Sequence, residues 1–158
     1  MTLANSLDQD YKEFIELLNA HNVHYMVVGG YAVAYHGYVR HTGDINIWVE
    51  IDPDNAARLV QVMRAFGFGN LYKEADFLQR GGIIQLGVAP IRIDILSEVD
   101  GVQFTDCFAA CEPTVWDGVA INFISLADLR KNKASTGRAK DAVDLKQLDK
   151  VKRKPGTH

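Results

Sequence analysis

The sequence predicts an α/β (α+β) domain, a mixed β-sheet flanked by helices, and three observations carry that expectation. Stretches that alternate polar and apolar residues, such as Asp44-Ile-Asn-Ile-Trp-Val-Glu50, are interleaved with stretches at helical spacing, such as 53–66. Connections are short and marked by Gly or Pro. No internal repeat and no linker divides the chain, so 1–158 reads as one domain with a basic C-terminal helix and tail from about 138.

Taken in order, Asp8 or Ser6 caps a helix running to about Ala20, where Phe14, Leu17 and Leu18 recur at helical spacing while Lys12, Glu13 and Glu16 stay polar. Tyr25-Met-Val-Val28 is a short buried strand, and Gly29-Gly30 turns it into a helix over 31–38. In the strand over 44–50 the alternation places Asp44 and Asn46 on one face. Asp52 caps a helix opened by Pro53, with Ala56, Leu59, Val60, Met63 and Phe66 on its apolar side and Gly67 at its close.

Two strands follow, over 83–87 and 91–96, joined by Val88-Ala-Pro90. In the second, Ile91, Ile93 and Ile95 are expected to face the core, with Arg92 and Asp94 on the opposite face. Gly101 makes a turn, 105–111 a short helix and 119–124 a further strand. Ser125 with Asp128 three residues later marks a capped helix start. That helix ends near Ala134, Gly137 breaks the pattern, and 138–151 forms a last amphipathic helix with Ala142, Leu145 and Leu148 inward.

A hydrophobic content of 47% beside a charged content of 23% excludes disordered and fibrous classes. The apolar runs fall far short of the roughly 20 residues that cross a bilayer, so no membrane partner is expected. The N-terminus has neither the basic nor the apolar stretch of an export signal, and the expected location is cytoplasmic. Cys107 and Cys111 lie on one helical face and read as small packing residues, since zinc would need two further ligands.

The net charge of −3 is unevenly spread: 1–129 holds 7 basic and 17 acidic residues, 130–158 holds 10 basic and 3 acidic. The C-terminal part is a cationic unit, either a solvated helix face or a surface that meets phosphate.

The chemistry-bearing pattern is a strand, Gly29-Gly30, a helix, then Arg40-His-Thr-Gly-Asp44-Ile-Asn46 on the next strand and Arg92-Ile-Asp94 on a later one. This arrangement resembles the nucleotidyltransferase superfamily related to DNA polymerase beta, whose core is a Gly-Gly or Gly-Ser turn, an Asp-x-Asp strand and a third Asp downstream. More narrowly, the chain resembles a bacterial family of small stand-alone nucleotidyltransferase-like proteins. That resemblance rests on Asp44-Ile-Asn-Ile-Trp-Val49, Ile84-Gln-Leu-Gly87, Arg92-Ile-Asp-Ile-Leu96, Asn132-Lys133 and Gly137-Arg-Ala-Lys-Asp141, over about 25–148.

The resemblance implies a nucleotidyltransferase fold and transfer of a nucleoside monophosphate from a nucleoside triphosphate to a hydroxyl, with Mg²⁺ or Mn²⁺. The chemistry agrees: such a site must neutralise phosphate charge and align the attacking oxygen, which two divalent cations do well. Carboxylates two apart on one strand, with one from a neighbour, offer the oxygen ligands magnesium prefers. Asp44, Asn46 and Asp94 hold those positions as catalytic and metal residues. Where the family usually has a second Asp, Asn46 removes one negative charge, which weakens metal binding but keeps a carbonyl oxygen. By resemblance, Asp94 also helps take the proton of the attacking hydroxyl; the alternative is an ion pair with Arg92 on the solvent side of the sheet.

Gly29 and Gly30 carry no side chain to obstruct phosphate, and the helix after them offers free N–H groups. Arg40 and Thr42 either touch phosphate or fix the loop. Lys133, Arg138 and Lys140 cluster around Gly137, where they would clamp phosphates or a nucleic-acid partner; Lys140 pairs equally well with Asp144 at i+4. Asp141 and Asp144 read as helix-start or salt-bridge residues, His36 and His41 as hydrogen-bonding surface residues, and Trp48, Trp116 and Tyr31 as packing.

Three rival readings stand beside this one. A dinucleotide-binding fold would explain the glycines and Glu50 but lacks the third glycine and gives the acids no work. A catalytically weakened module of the same fold would bind nucleotide or a partner, for example in a toxin–antitoxin pair. Nucleic-acid binding by the cationic tail alone would show steep salt dependence without a metal requirement. The acceptor, whether RNA, protein or small molecule, is left open, and a homodimer or a partner protein would supply a surface for it.

Overall fold

The computed structural model describes residues 7–151. Ser6, weighed as a cap, and the basic tail after 151 lie outside the described residues.

Asp8 caps α1 (Gln9–Ala20), its Oδ1 accepting the Asp10 N–H at 2.9 Å. Tyr11, Phe14, Ile15 and Leu18 form the buried stripe of α1, each worth about 1.5–3 kcal/mol relative to exposure. Next come β1 (Tyr25–Val28), buried throughout, and α2 (Gly29–Tyr35), which starts on the first glycine and ends three residues before the expected boundary. β2 (Asp44–Val49) leads to α3 (Pro53–Met63), where Asp52 caps Asp54 and Asn55 and Pro53 sits at the helix start.

A π-helical turn (Arg64–Phe68) closes α3 where Gly67 adopts φ 111°, and a 3-10 turn (Glu74–Phe77) follows. The chain continues through β3 (Ile83–Leu86), β4 (Arg92–Leu96), α4 (Phe104–Ala109), β5 (Glu112–Trp116), β6 (Val119–Phe123), α5 (Leu126–Ser135) and α6 (Ala139–Asp149). Ser125 caps α5 by accepting the Asp128 N–H at 3.1 Å, as the spacing implied.

The six strands form one mixed sheet in the order β3-β4-β2-β1-β6-β5, flanked by the helices. β2 runs parallel to β4 and antiparallel to β1, so the two strands carrying acids lie side by side inside the sheet. Asp44 pairs with Arg92 and Asn46 with Asp94, and residues in register share a face. The other face of these strands presents Ile45, Ile47, Ile93 and Ile95 to the hydrophobic core. No helix among the described residues is long and apolar enough to cross a membrane.

Several local expectations change. Ile91 is not core: β4 begins at Arg92, and Ile91 stays in the exposed loop after the cis Ala89–Pro90 bond. Asp94 is buried, so the ion pair with Arg92 offered as its alternative role does not stand on the solvent side. In α6 the inward residues are Asp141, Asp144 and Leu148, while Ala142 is exposed, because that face meets buried cations instead of apolar side chains. The edge strand β5 was not foreseen. The His36 side chain is buried, its Nε2 lying 2.7 Å from the Ile124 carbonyl.

Candidate functional site

The period of two in β2 sends Asp44 and Asn46 to the same side, and parallel pairing with β4 brings Arg92 and Asp94 beside them. Arg92 joins the two carboxylates. Its Nε donates to Asp94 Oδ1 at 2.8 Å, and its Nη2 donates to Asp94 Oδ2 at 3.0 Å and to Asp44 Oδ2 at 2.9 Å. Of the two alternatives, the Arg92–Asp94 pair is therefore present, and it lies on the face that carries Asp44.

Burial pushes the Asp94 carboxyl above its ordinary value. The bonds from Arg92 pull it back, and the neighbouring Asp44 carboxylate pushes it up again. Thr42 orients Asp44, its hydroxyl donating to Asp44 Oδ1 and to the Asp44 carbonyl, both at 3.2 Å.

The paired glycines permit close approach of these side chains. A Cβ at Gly29, which has φ 68°, would stand 2.2 Å from Asn46 Nδ2, and one at Gly30 would stand 3.0 Å from Thr42 Oγ1 and 3.3 Å from Arg40 Nη1. The helix that starts there has only seven residues, so the glycines act here through the room they leave.

On the far side, a charged cluster connects α6 to the rest. Arg40 clasps Asp144 with two bonds of 2.8 Å, Nε to Oδ1 and Nη2 to Oδ2. Lys133 Nζ lies 2.7 Å from Asp141 Oδ1 and 3.1 Å from Asp144 Oδ2. Asp141 Oδ2 accepts from Thr136 Oγ1 and from Arg138 Nε, each at 2.7 Å. Burial alone would raise the Asp141 carboxyl, but these donors outweigh it and lower it to about 2. Burial acts on Asp144 in the same way, and the bonds from Arg40 and Lys133 reverse it to a lowered value. Asp144 thus pairs with Arg40 and Lys133, not with Lys140 at i+4 as weighed from sequence.

These groups surround a cleft of about 430 Å³, within the usual range for small-molecule sites. Gly29, Gly30, Arg40, Thr42, Asp44, Asn46, Lys133, Arg138 and Lys140 all line it; Asp94 does not, but it shares Arg92 with the lining Asp44. The loop after β4 makes the opposite wall with Glu98, Val99 and Asp100, and Asn132 ties that loop to α5 by donating to the Asp100 carbonyl at 3.0 Å. A second cavity, of about 500 Å³, is lined by the same loop together with Trp48 and Phe104.

As a donor set, Asp44, Asn46 and Asp94 suit a hard divalent cation, since they offer two carboxylates and one amide oxygen. Arg92 already supplies positive charge there. Among the described residues no group of three or more His, Cys, Asp and Glu side chains is placed to hold a metal, so the amide oxygen of Asn46 or groups of a ligand must complete any shell.

The fold and this cleft define a mixed α/β protein with paired acids on adjacent parallel strands and a basic rim. Compared with models of known protein families, the chain matches none, and no curated protein matches it.

Proposed function

We propose that the chain is a nucleotidyltransferase resembling the DNA polymerase beta superfamily, which moves a nucleoside monophosphate from a nucleoside triphosphate to a hydroxyl of an acceptor. The observation that carries this reading is the convergence on one cleft of residues far apart in sequence: Gly29, Asp44, Asn46, Lys133 and Arg138 line it together. A cleft with acids at its base and cations at its rim suits a ligand that brings both phosphate and a divalent cation.

Asp44, Asn46 and Asp94 would hold Mg²⁺ or Mn²⁺, which when bound neutralises phosphate charge and favours in-line displacement. As the resemblance implies, Asp94 would also help take the proton of the acceptor hydroxyl. The hydroxyl oxygen forms its bond to the α-phosphorus, the bond from that phosphorus to the bridging oxygen breaks, and pyrophosphate leaves with the electron pair. Arg138 and Lys140, the exposed cations of the rim, meet the phosphates. Gly29 and Gly30 keep the floor clear.

The test is incubation with each α-labelled nucleoside triphosphate, Mg²⁺ or Mn²⁺, and RNA, protein and small-molecule acceptors. Label transfer that disappears in Asp44→Asn supports the reading; no transfer with any combination sinks it.

A second reading has its own observation. With Arg92 clasping both carboxylates and Asn46 uncharged, the base of the cleft is partly neutralised without a metal. This favours a module of the same fold that binds nucleotide or a partner protein, as in a toxin–antitoxin pair. Nucleotide binding without label transfer is its expected result.

A further inference from the structure

We propose that Asp144 is a positioning residue of the cleft, holding Arg40 and Lys133 in place so that the walls built by 40–46 and by α5 and α6 keep one spacing. This inference rests on the reading of the cleft as a phosphate-binding site.

The carboxylate of Asp144 spends both oxygens on cations from two different elements. Oδ1 and Oδ2 receive Arg40, which comes from the segment leading into β2, and Oδ2 also receives Lys133 from α5. All three groups are withdrawn from water, with side-chain exposures of 1% for Asp144, 5% for Lys133 and 15% for Arg40. Removing one partner from a buried ionic cluster strands an uncompensated charge, so an arriving phosphate does not pull Arg40 or Lys133 away from it. These two cations are therefore part of the frame. Contact with phosphate falls to Arg138, whose side chain is 72% exposed, and to Lys140.

The clasp reaches the acids through a short route. Arg40, fixed by Asp144, lies against Gly30 and donates to the His41 carbonyl at 3.4 Å. Thr42, next along the chain, also lies against Gly30 and bonds Asp44. Asp144 thereby sets where the segment carrying Asp44 stands relative to α6, which carries Lys140 and begins beside Arg138. A purely stabilising role for α6 would put apolar side chains on this face. Leu148 is its one buried apolar residue, and the rest of the buried face is Asp141 and Asp144.

The experiment compares wild type, Asp144→Asn, Asp144→Glu and Leu148→Ala, the last loosening α6 without touching the cluster. The probe is inorganic tripolyphosphate with Mg²⁺, common to every nucleoside triphosphate, titrated by calorimetry well below each Tm. Asp144→Asn is expected to weaken binding by roughly ten- to hundredfold, the usual loss when a group that orients ligating residues is removed. Asp144→Glu recovers part of it, and Leu148→Ala binds as wild type. Hydrogen exchange supplies a readout that needs no ligand: the amides of β2, which directly follows the clasped segment and is paired on both sides, lose protection in Asp144→Asn and keep it in Leu148→Ala.

Wild-type affinity in Asp144→Asn, or equal loss of protection in Asp144→Asn and Leu148→Ala, overturns the positioning role. Should Asp144→Asn fail to fold, Asp144→Glu decides by the same two readouts, and its indifference in both overturns the role. Failure of the wild-type protein to bind tripolyphosphate while the exchange pattern holds tells against the phosphate-binding reading of the cleft and leaves the clasp standing.

Discussion

Arg92 Nη2 lies 2.9 Å from Asp44 Oδ2, and the same nitrogen reaches Asp94 on its own strand at 3.0 Å. One guanidinium thus occupies the space between two carboxylates where the proposed reading requires a divalent cation. Strand pairing causes this: Asp44 and Arg92 are register partners, and Asp94 lies two residues further on the same face.

If Arg92 holds the place of a metal, Arg92→Gln should bind Mn²⁺ more tightly. A charge interaction near 4 Å at an effective dielectric of about 20 is worth about 4 kcal/mol before desolvation, so a gain of roughly tenfold needs only a fraction of it. The metal-free variant should also melt lower, since Asp94 loses its closest donor. Calorimetric titration with Mn²⁺ and melting with and without it measure both effects. Unchanged affinity would remove the carboxylate pair as a metal site.

Asn46 is open to the converse substitution. Its amide packs on Gly29, and its register partner is Asp94, so Asn46→Asp adds a carboxylate to the pair already there. Metal-dependent nucleotide binding should strengthen by roughly tenfold or more, while the metal-free protein loses stability through like-charge repulsion. Calorimetry with each nucleoside triphosphate and Mg²⁺ checks it; identical affinities would take Asn46 out of the site.

The parts of this site that lie within one element were legible in the sequence. Alternation in 44–50 and 91–96 placed Asp44 with Asn46 and Arg92 with Asp94, and the structure puts the pairs together. The clasp of Arg40 by Asp144, 104 positions away, was not legible, because periodicity reports which face a residue takes and says nothing of which element covers that face. For the same reason α6 was read as apolar inside: Ala142 and Leu145 fit a helical stripe, and only the buried cation Lys133 explains why two aspartates replace it. The missed strand β5 did carry a signal. Asp117-Gly118 has positive φ at both residues, 53° and 78°, and is a favoured two-residue hairpin turn. Pro113 within β5 masked it, and the strand lies at the sheet edge, where proline is tolerated.

Gly29 and Gly118 separate two reasons for glycine. Both have positive φ, so alanine at either incurs a conformational cost of about 1–2 kcal/mol. Around Gly118 an added Cβ meets nothing within 4 Å, whereas at Gly29 it meets Asn46 Nδ2 at 2.2 Å. Gly29→Ala should therefore destabilise more than Gly118→Ala and, unlike it, impair nucleotide binding by displacing Asn46. Urea denaturation and nucleotide titration of the two variants check this, and equal behaviour in both assays would show that the Gly29–Asn46 contact has no consequence.

Acid sensitivity should concentrate in the cluster around Lys133. Asp141 is held at about 2 and Asp144 is also lowered, against an unfolded value near 3.9 for an aspartate. A carboxyl with a depressed folded value adds stability that is fully present above its unfolded value and is lost as pH falls through the folded one. For Asp141 the difference is worth about 2–3 kcal/mol, lost between about pH 4 and pH 2. Asp94 acts in the opposite sense, since its raised value favours the protonated folded form at low pH and costs stability as pH rises. Urea denaturation from pH 2 to pH 6 should therefore show a falling acid limb in wild type that flattens in Asp141→Asn, with lower stability at pH 6. In Asp94→Asn, whose amide still accepts from Arg92, stability at pH 6 should rise instead, because the disfavoured charge is gone. An acid limb of undiminished slope in Asp141→Asn would mean that Lys133, Thr136 and Arg138 do not hold that carboxyl ionised.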